Sequence, residues 1–297
     1  MNDVRRAARF LAPVALLVAA LVLGSAGPAA AATPAPTAPQ VLELGKGPTV
    51  VLVHDLGGSR MSWLPTARKL SASRHVVLVD LPGHGGSALP DPFTMEAAAQ
   101  ALDLVLAKLN PDSTVLVGAG MGGMLLLQDL KVHPERARGL VLIDAALKWT
   151  GGAGMDAETV KWLNSMLDEH YDDFIKMSYG HAGRDSIEGL RLRALVAQVP
   201  PATMKAYLRS IFTADVSGAY KSLGFPTLFV ATDRVFKGLG DKEQDWPTVA
   251  KLIGFDDPAS VPLRRISGSS TLVMQDMPDS LAAVLGDFSA RALAAKK

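Results

Sequence analysis

The chain has 297 residues with 30 Lys and Arg against 29 Asp and Glu, a formal net charge of +1, and no cysteine. Near-neutrality without a basic stripe argues against nucleic acid as a partner. The absence of thiols excludes disulfide staples, thiolate metal sites and cysteine nucleophiles, so whatever folds must hold by burial alone.

In chain order, the first feature is an N-terminal pattern of Arg5, Arg6 and Arg9 followed by an apolar run from Phe10 to Leu23 and small residues around Ala30–Ala32. It reads as a secretory signal peptide over residues 1–32: the run is short for a transmembrane span, and the small residues supply a cleavage site. Arg5-Arg6 hints at twin-arginine export, and the lack of cysteine rules out a lipid-modified anchor. The expectation is an exported protein, periplasmic or secreted, with no stable membrane span after cleavage. Residues 33–40, rich in Ala, Pro and Thr, read as a linker.

Six apolar runs follow: TVVLVH (49–54), HVVLVD (75–80), STVLVG (113–118), GLVLID (139–144), TLFVAT (227–232) and LRRIS (263–267). The first five are nearly continuous in Val, Leu and Ile rather than alternating, the pattern of strands covered on both faces by helices and hence of a parallel sheet. Helical patterns lie between them, around Trp63–Leu70, Met95–Leu109 and Met121–Val132, and the last is Pro278–Ala295. Strand–helix alternation predicts an α/β fold with a doubly wound, mostly parallel sheet. The core is expected over residues 41–146 and 224–297. Between them, residues 147–223 lack a convincing strand and carry helical patterns at Ala157–Glu169, Ser186–Val199 and Pro201–Phe212. That segment predicts a helical lid over the carboxyl edge of the sheet, where open α/β sheets bind ligands. Met155, Met166, Met177 and Met204 would give such a lid a soft apolar lining.

Five stretches, in order, resemble the α/β-hydrolase superfamily, specifically its lid-bearing esterase and lipase-like branch. VVLVHDLGGSRMSW (50–63) is similar to the family's oxyanion strand and loop. VVLVDLPGHGGS (76–87) is similar to its D-x-P-G-x-G-x-S loop, VLVGAGMGG (115–123) to its nucleophile elbow, FPTLFVATDR (225–234) to the strand ending in the acid, and ISGSSTLVMQDMPDSL (266–281) to the histidine segment. The resemblance implies an α/β-hydrolase fold, a site at the sheet's upper rim, and oxyanion donors at the Leu56 and Met121 amides. It also exposes departures. Gly120 stands at the elbow where the family carries serine, and Thr271 stands where it carries histidine. The acid position falls on Asp233 or, with the alignment shifted by one, on Arg234, and Asp55 replaces a loop glycine.

A serine mechanism needs an imidazole to take the hydroxyl proton and an acid to hold that imidazole; glycine and threonine supply neither. Two readings stay open. One is a protein lacking the Ser-His-acid triad that binds a small carbonyl or acyl ligand or a partner at His54, Asp55, Leu56, Gly120, Met121, Asp233 and Thr271, with no catalytic residue. A variant of it has the pocket closed. The other is an active esterase-like hydrolase, or a lyase, that uses unconventional pocket groups such as His54 or Asp55. Asp80, His84 and Asp144 read as structural, and Ser269 and Ser270 have no imidazole to serve them. No cofactor is expected. No metal site is expected either, the densest His/Asp run being His170, Asp172 and Asp173, which reads as a solvated helix face. A small-molecule ligand remains open, and a protein partner is open and unidentified.

Overall fold

The computed structural model describes residues 36–148, 156–180, 186–237 and 243–295. The expected signal peptide, residues 33–35 of the expected linker, and Met155 lie outside the described residues.

The described chain builds one seven-stranded sheet: β1 (Val41–Leu44), β2 (Thr49–Val53), β3 (His75–Val79), β4 (Thr114–Ala119), β5 (Gly139–Ile143), β6 (Thr227–Thr232) and β7 (Leu263–Ile266). Their spatial order is β1-β3-β2-β4-β5-β6-β7. β1 runs antiparallel to β3, and every other pairing is parallel, for example Val51 opposite Val77 on one side and opposite Leu116 on the other. The expected parallel α/β sheet is therefore present, with one strand more than the apolar runs announced. β1 (VLEL) escapes that reading because it is a short edge strand whose residues are only half-buried or exposed.

Among the described residues twelve α-helices flank or follow these strands: α1 (Leu64–Leu70), α2 (Met95–Leu106), α3 (Met121–Leu130), α4 (Ala157–Glu169), α5 (Tyr171–Gly180), α6 (Ser186–Val196), α7 (Pro201–Ile211), α8 (Ser217–Lys221), α9 (Asp233–Lys237), α10 (Trp246–Leu252), α11 (Val273–Asp276) and α12 (Pro278–Ala294). Local chemistry sets several starts. The Thr94 hydroxyl accepts from the Ala97 N–H, and the Asp156 and Asp245 carboxylates do the same for Thr159 and Thr248, each cap satisfying an otherwise orphaned amide.

The continuous apolar strands feed two cores, because successive side chains leave opposite faces. Val51, Val53, Val77, Leu116 and Leu142 pack with α2, α3 and the lid helices. Val50, Leu52, Val76, Val115 and Val141 pack with α1 and α12. Between β5 and β6 the chain leaves the sheet as α4 to α8, then returns beside its point of departure. The Val216 N–H donates to Leu147 O at 2.8 Å, and Lys148 and Asp215 form an isolated bridge. α5 includes the Asp172–Asp173 pair expected on a solvated helix face, and its other side buries Phe174. Among the described residues, no helix is long and apolar enough to cross a membrane.

Candidate active site

The corner between β4 and α3 is as sharp as the glycine-rich sequence implies. Gly120 sits at φ +46° and ψ −115°, and its N–H donates to Ile143 O at 2.9 Å. Glycine takes a positive φ without the Cβ clash that other residues meet there. A second constraint comes from outside the corner. A Cβ on Gly120 would lie 2.0 Å from Oδ1 of Asp55 and 2.2 Å from its Cγ. The Asp55 carboxyl group thus fills the space that a side chain at position 120 would occupy.

Asp55 follows β2. Its Oδ1 accepts from the Leu56 N–H at 2.7 Å and the Met121 N–H at 2.8 Å, the two amides that the sequence singled out as oxyanion donors. Among the described residues its Oδ2 accepts no hydrogen bond. Burial pushes the Asp55 pKa above the ordinary carboxylate value, against the Met121 amide, the Arg234 charge and the Leu56 amide, which all favour the anion.

Behind this carboxylate lies a second charge system. Arg234, the first residue after Asp233 in α9, donates from its guanidinium to Thr271 Oγ1 at 2.7 Å. Its positive charge acts on both Asp55 and Asp144. Asp144 ends β5 at φ +48°, the single described non-glycine residue with positive φ. Its carboxylate accepts from the Thr232 N–H at 2.8 Å and from the Thr232 hydroxyl. Burial, reinforced by the Asp55 charge, outweighs those bonds and Arg234 and raises Asp144 to about 6.

His54 and His84 are buried neutral imidazoles. His54 Nδ1–H donates to Asp55 O at 2.7 Å while Nε2 accepts from the Leu81 N–H at 2.9 Å. With both nitrogens engaged, and its pKa lowered to about 4 by burial, His54 offers no free lone pair as a base. His84 Nε2 accepts from the Gly57 N–H at 3.3 Å, and burial, followed by the neighbouring His54, lowers its pKa to about 3. Its ring meets His54 and Tyr207 edge-on at 5.2 and 5.4 Å. Asp80 accepts from the Arg60 N–H at 2.7 Å and pairs with the Arg60 guanidinium. The structural reading of Asp80 and His84 therefore matches their surroundings.

A pocket opens over Asp55. Its walls are His54, Asp55, Leu56, Gly57, Gly58 and Ser62 from the β2 side, Thr271, Leu272 and Met274 from the segment after β7, and Tyr179, Leu192, Leu195 and Val196 from α5 and α6. The space it encloses is small, about 20 Å³, and reaches about 380 Å³ only when the open solvent at its mouth is included. Of the seven residues expected to form the site, His54, Asp55, Leu56 and Thr271 line this pocket, and Gly120 and Met121 stand directly behind the Asp55 carboxylate.

Asp233 is the exception. Its Oδ1 is held by Arg265 at 2.7 and 3.0 Å and its Oδ2 by the Gly268 N–H at 2.7 Å. It ties β6 to the loop after β7 instead of facing the pocket, and the residue that reaches inward is its neighbour Arg234. The methionine lining also needs correction: Met204 is fully buried, Met177 is half exposed, and the lid's pocket wall consists of Tyr179, Leu192, Leu195 and Val196. Arg234 was legible only as a possible slip of alignment, and the lid wall had no signal beyond helical spacing. Ser269 donates to Ile266 O and Ser270 to Glu188, so both hydroxyls serve the fold.

The sheet order, the strained corner after β4 and the pocket at the carboxyl edge define an α/β enzyme fold whose site lies at the strand ends. A sequence profile of the alpha/beta hydrolase family matches residues 50–284, and the chain belongs to that family. A pimeloyl-(acyl-carrier protein) methyl ester esterase of Neisseria meningitidis is 29% identical over 190 residues, which cover 61% of this chain and 73% of the relative. One of the same name from Pseudoalteromonas atlantica is 30% identical over 129 residues; that match covers 42% of this chain and only 48% of the relative. Among solved structures, a hydrolase from Oleispira antarctica superposes with a TM-score of 0.70 at 15% identity, covering 85% of this chain and 94% of that one. A thermophilic esterase from Thermogutta terrifontis gives 0.68 at 20%, covering 85% and 93%. These relatives overturn the expectation of a non-catalytic family member: the curated proteins this chain resembles are named as esterases.

Proposed function

We propose that this protein is an esterase-like hydrolase of acyl esters in which Asp55 activates water. In this reading Gly120 and Thr271 stand where other family members carry nucleophile and histidine, and neither is the reacting group. The observation that carries it is the Asp55 carboxylate, set into the corner above Gly120 with its Oδ1 bonded to the two oxyanion amides. The esterase names of the relatives support ester chemistry, and the apolar wall of Leu192, Leu195, Val196, Leu272 and Met274 suits an acyl chain. A methyl or other small alkyl ester of such a chain is the substrate class.

The chemistry balances without a covalent intermediate. The ester carbonyl takes the Leu56 and Met121 amides from Oδ1, at the positive end of α3. Freed of those bonds, the carboxylate removes a proton from a water molecule as its oxygen adds to the carbonyl carbon. When the tetrahedral adduct collapses, the protonated Asp55 returns that proton to the departing alkoxide, giving acid and alcohol. Arg234 favours the Asp55 anion against the burial that raises its pKa, and offsets the charge on the adduct. Of the two groups that the sequence offered, His54 is excluded by its two engaged nitrogens. The proposal includes export, with residues 1–32 removed, which N-terminal sequencing of the mature protein checks.

The test is a panel of p-nitrophenyl and methyl acyl esters alongside a fluorophosphonate probe. Turnover without labelling is the expected result. Labelling at a serine, or no turnover on any ester, overturns it.

A further inference from the structure

The far end of α3, beyond the Leu130 terminus of the helix that the active-site corner begins, carries a second group of titratable side chains. Asp103 comes from α2, Asp129 from the last turn of α3 and His133 from the turn that follows. The His133 N–H donates to Asp129 O at 2.9 Å, which stacks the two side chains at helical spacing. One ligand atom from each of the three residues lies within 4.8 Å of the others. His133 Nε2 and Asp103 Oδ2 are 3.7 Å apart.

Asp129 is the telling member. It is 3% exposed, and its Oδ2 is buried with no hydrogen-bond partner. A buried carboxylate oxygen without a donor is rare in folded proteins and calls for an occupant such as an ion. Arg136 does not fill that role. Its guanidinium hydrogen-bonds to Asp103, at 2.7 Å to Oδ1 and 3.1 Å to Oδ2, and reaches Asp129 only through its charge. Glu135, 3.7 Å from His133 Nδ1, adds further negative charge. The carbonyl end of α3 faces the same place and favours a cation.

We propose that Asp103, Asp129 and His133 form a divalent-cation site. One imidazole and two carboxylates, with protein contributing three ligands, is a donor set that suits Zn²⁺ best. Bonds of about 2.0–2.2 Å to a tetrahedral ion ask the three side chains to draw together slightly from their present spacing. The site is structural: eight residues of helix, about 12 Å along its axis, separate Asp129 from Met121. It clamps α2 to the end of α3. No sequence motif points to a metal here, since Asp103, Asp129 and His133 are scattered along the chain.

Untagged full-length protein, stripped with EDTA, is titrated with ZnCl₂ by calorimetry and followed by thermal melting. About one equivalent binds and the melting temperature rises, reversibly with EDTA. Asp129→Asn and His133→Gln each weaken binding by at least about tenfold, while Asp55→Asn, which alters the pocket, leaves it unchanged. Asp129→Asn keeps the shape of the side chain, and His133 is exposed enough for its variant to fold. Absence of both heat and melting shift overturns the proposal. So does binding that survives in both variants, or binding lost in Asp55→Asn.

Discussion

Two carboxylates stand at the carboxyl ends of neighbouring strands, Asp55 after β2 and Asp80 after β3, and they differ in how completely the fold uses them. Asp80 has both oxygens engaged by Arg60, through its amide and its guanidinium, with the His54 ring 3.8 Å away. Among the described residues Asp55 bonds through one oxygen, to amides that a substrate carbonyl could equally occupy. A buried charge with every partner in place is cement. One with a partner missing retains free energy that a bound molecule can use. The difference between scaffold and chemistry in this rim therefore lies in the count of satisfied lone pairs, and residue type alone does not reveal it.

The largest effect expected is on Asp55. Asp55→Asn keeps an oxygen for the Leu56 and Met121 amides but cannot accept the water's proton, so kcat/KM for ester hydrolysis should fall by about 10²–10⁴-fold, the usual worth of a general base. The melting temperature should barely move. The sign of the pH dependence follows from burial raising the Asp55 pKa. The ionised form is the active one, so the rate should decline on acidification with a midpoint above the ordinary carboxylate value. A flat profile down to that value removes Asp55 from the reaction.

Asp80→Asn should do the reverse. It leaves the Arg60 guanidinium without its counter-charge and weakens the anchor of the loop containing His84. A loss of about 2–3 kcal/mol in unfolding free energy is expected, on the low side for a broken buried pair because Arg60 is partly exposed. The kcat of the folded fraction should persist. Denaturant titration with parallel rate measurements separates the two outcomes, and a variant losing activity but not stability would erase the distinction between the two loops.

How much of this was readable beforehand depends on whether local pattern or side-chain placement sets the feature. The parallel sheet was legible because runs such as VVLV carry apolar residues on both faces, and the helical insertion because strand patterns stop at Leu147. The corner was legible because Gly-Ala-Gly-Met-Gly-Gly allows a positive φ and a close strand–helix approach. The position of the Asp55 carboxyl was not, since it depends on a rotamer and on space left by a glycine 65 positions later in the numbering. Asp233 matched its expected place in the chain, yet Arg265 and Gly268 draw its carboxylate away while Arg234 turns toward Thr271. Asp103, Asp129 and His133 meet only because α2 packs on α3.

Gly120→Ala sharpens the comparison at intermediate size. The methyl group would overlap the Asp55 carboxylate, which must then leave the oxyanion amides, and the backbone carries the strain of a positive φ, about 1–3 kcal/mol. Stability by calorimetry and ester turnover should fall together. Retained stability would mean that the carboxylate has an alternative resting place.

The smallest effect expected tests whether the Asp80–His84 loop is held from above as well as from its own base. Tyr207, on α7 of the lid and fully buried, donates its hydroxyl to Pro82 O at 2.9 Å. Its ring also packs on Phe93 at 4.6 Å between centroids. Tyr207→Phe preserves those ring contacts and deletes one hydrogen bond. Pro82 O still receives His84 Nδ1–H at 3.3 Å, so the carbonyl is not orphaned. The cost should be about 0.5–1.5 kcal/mol, the net worth of an ordinary buried hydrogen bond, with kcat/KM unchanged. If the loop is cement, loosening its upper tie reaches the melting curve and stops there. If turnover falls with it, lid and loop move as one body during catalysis, and Asp80 belongs with Asp55 after all.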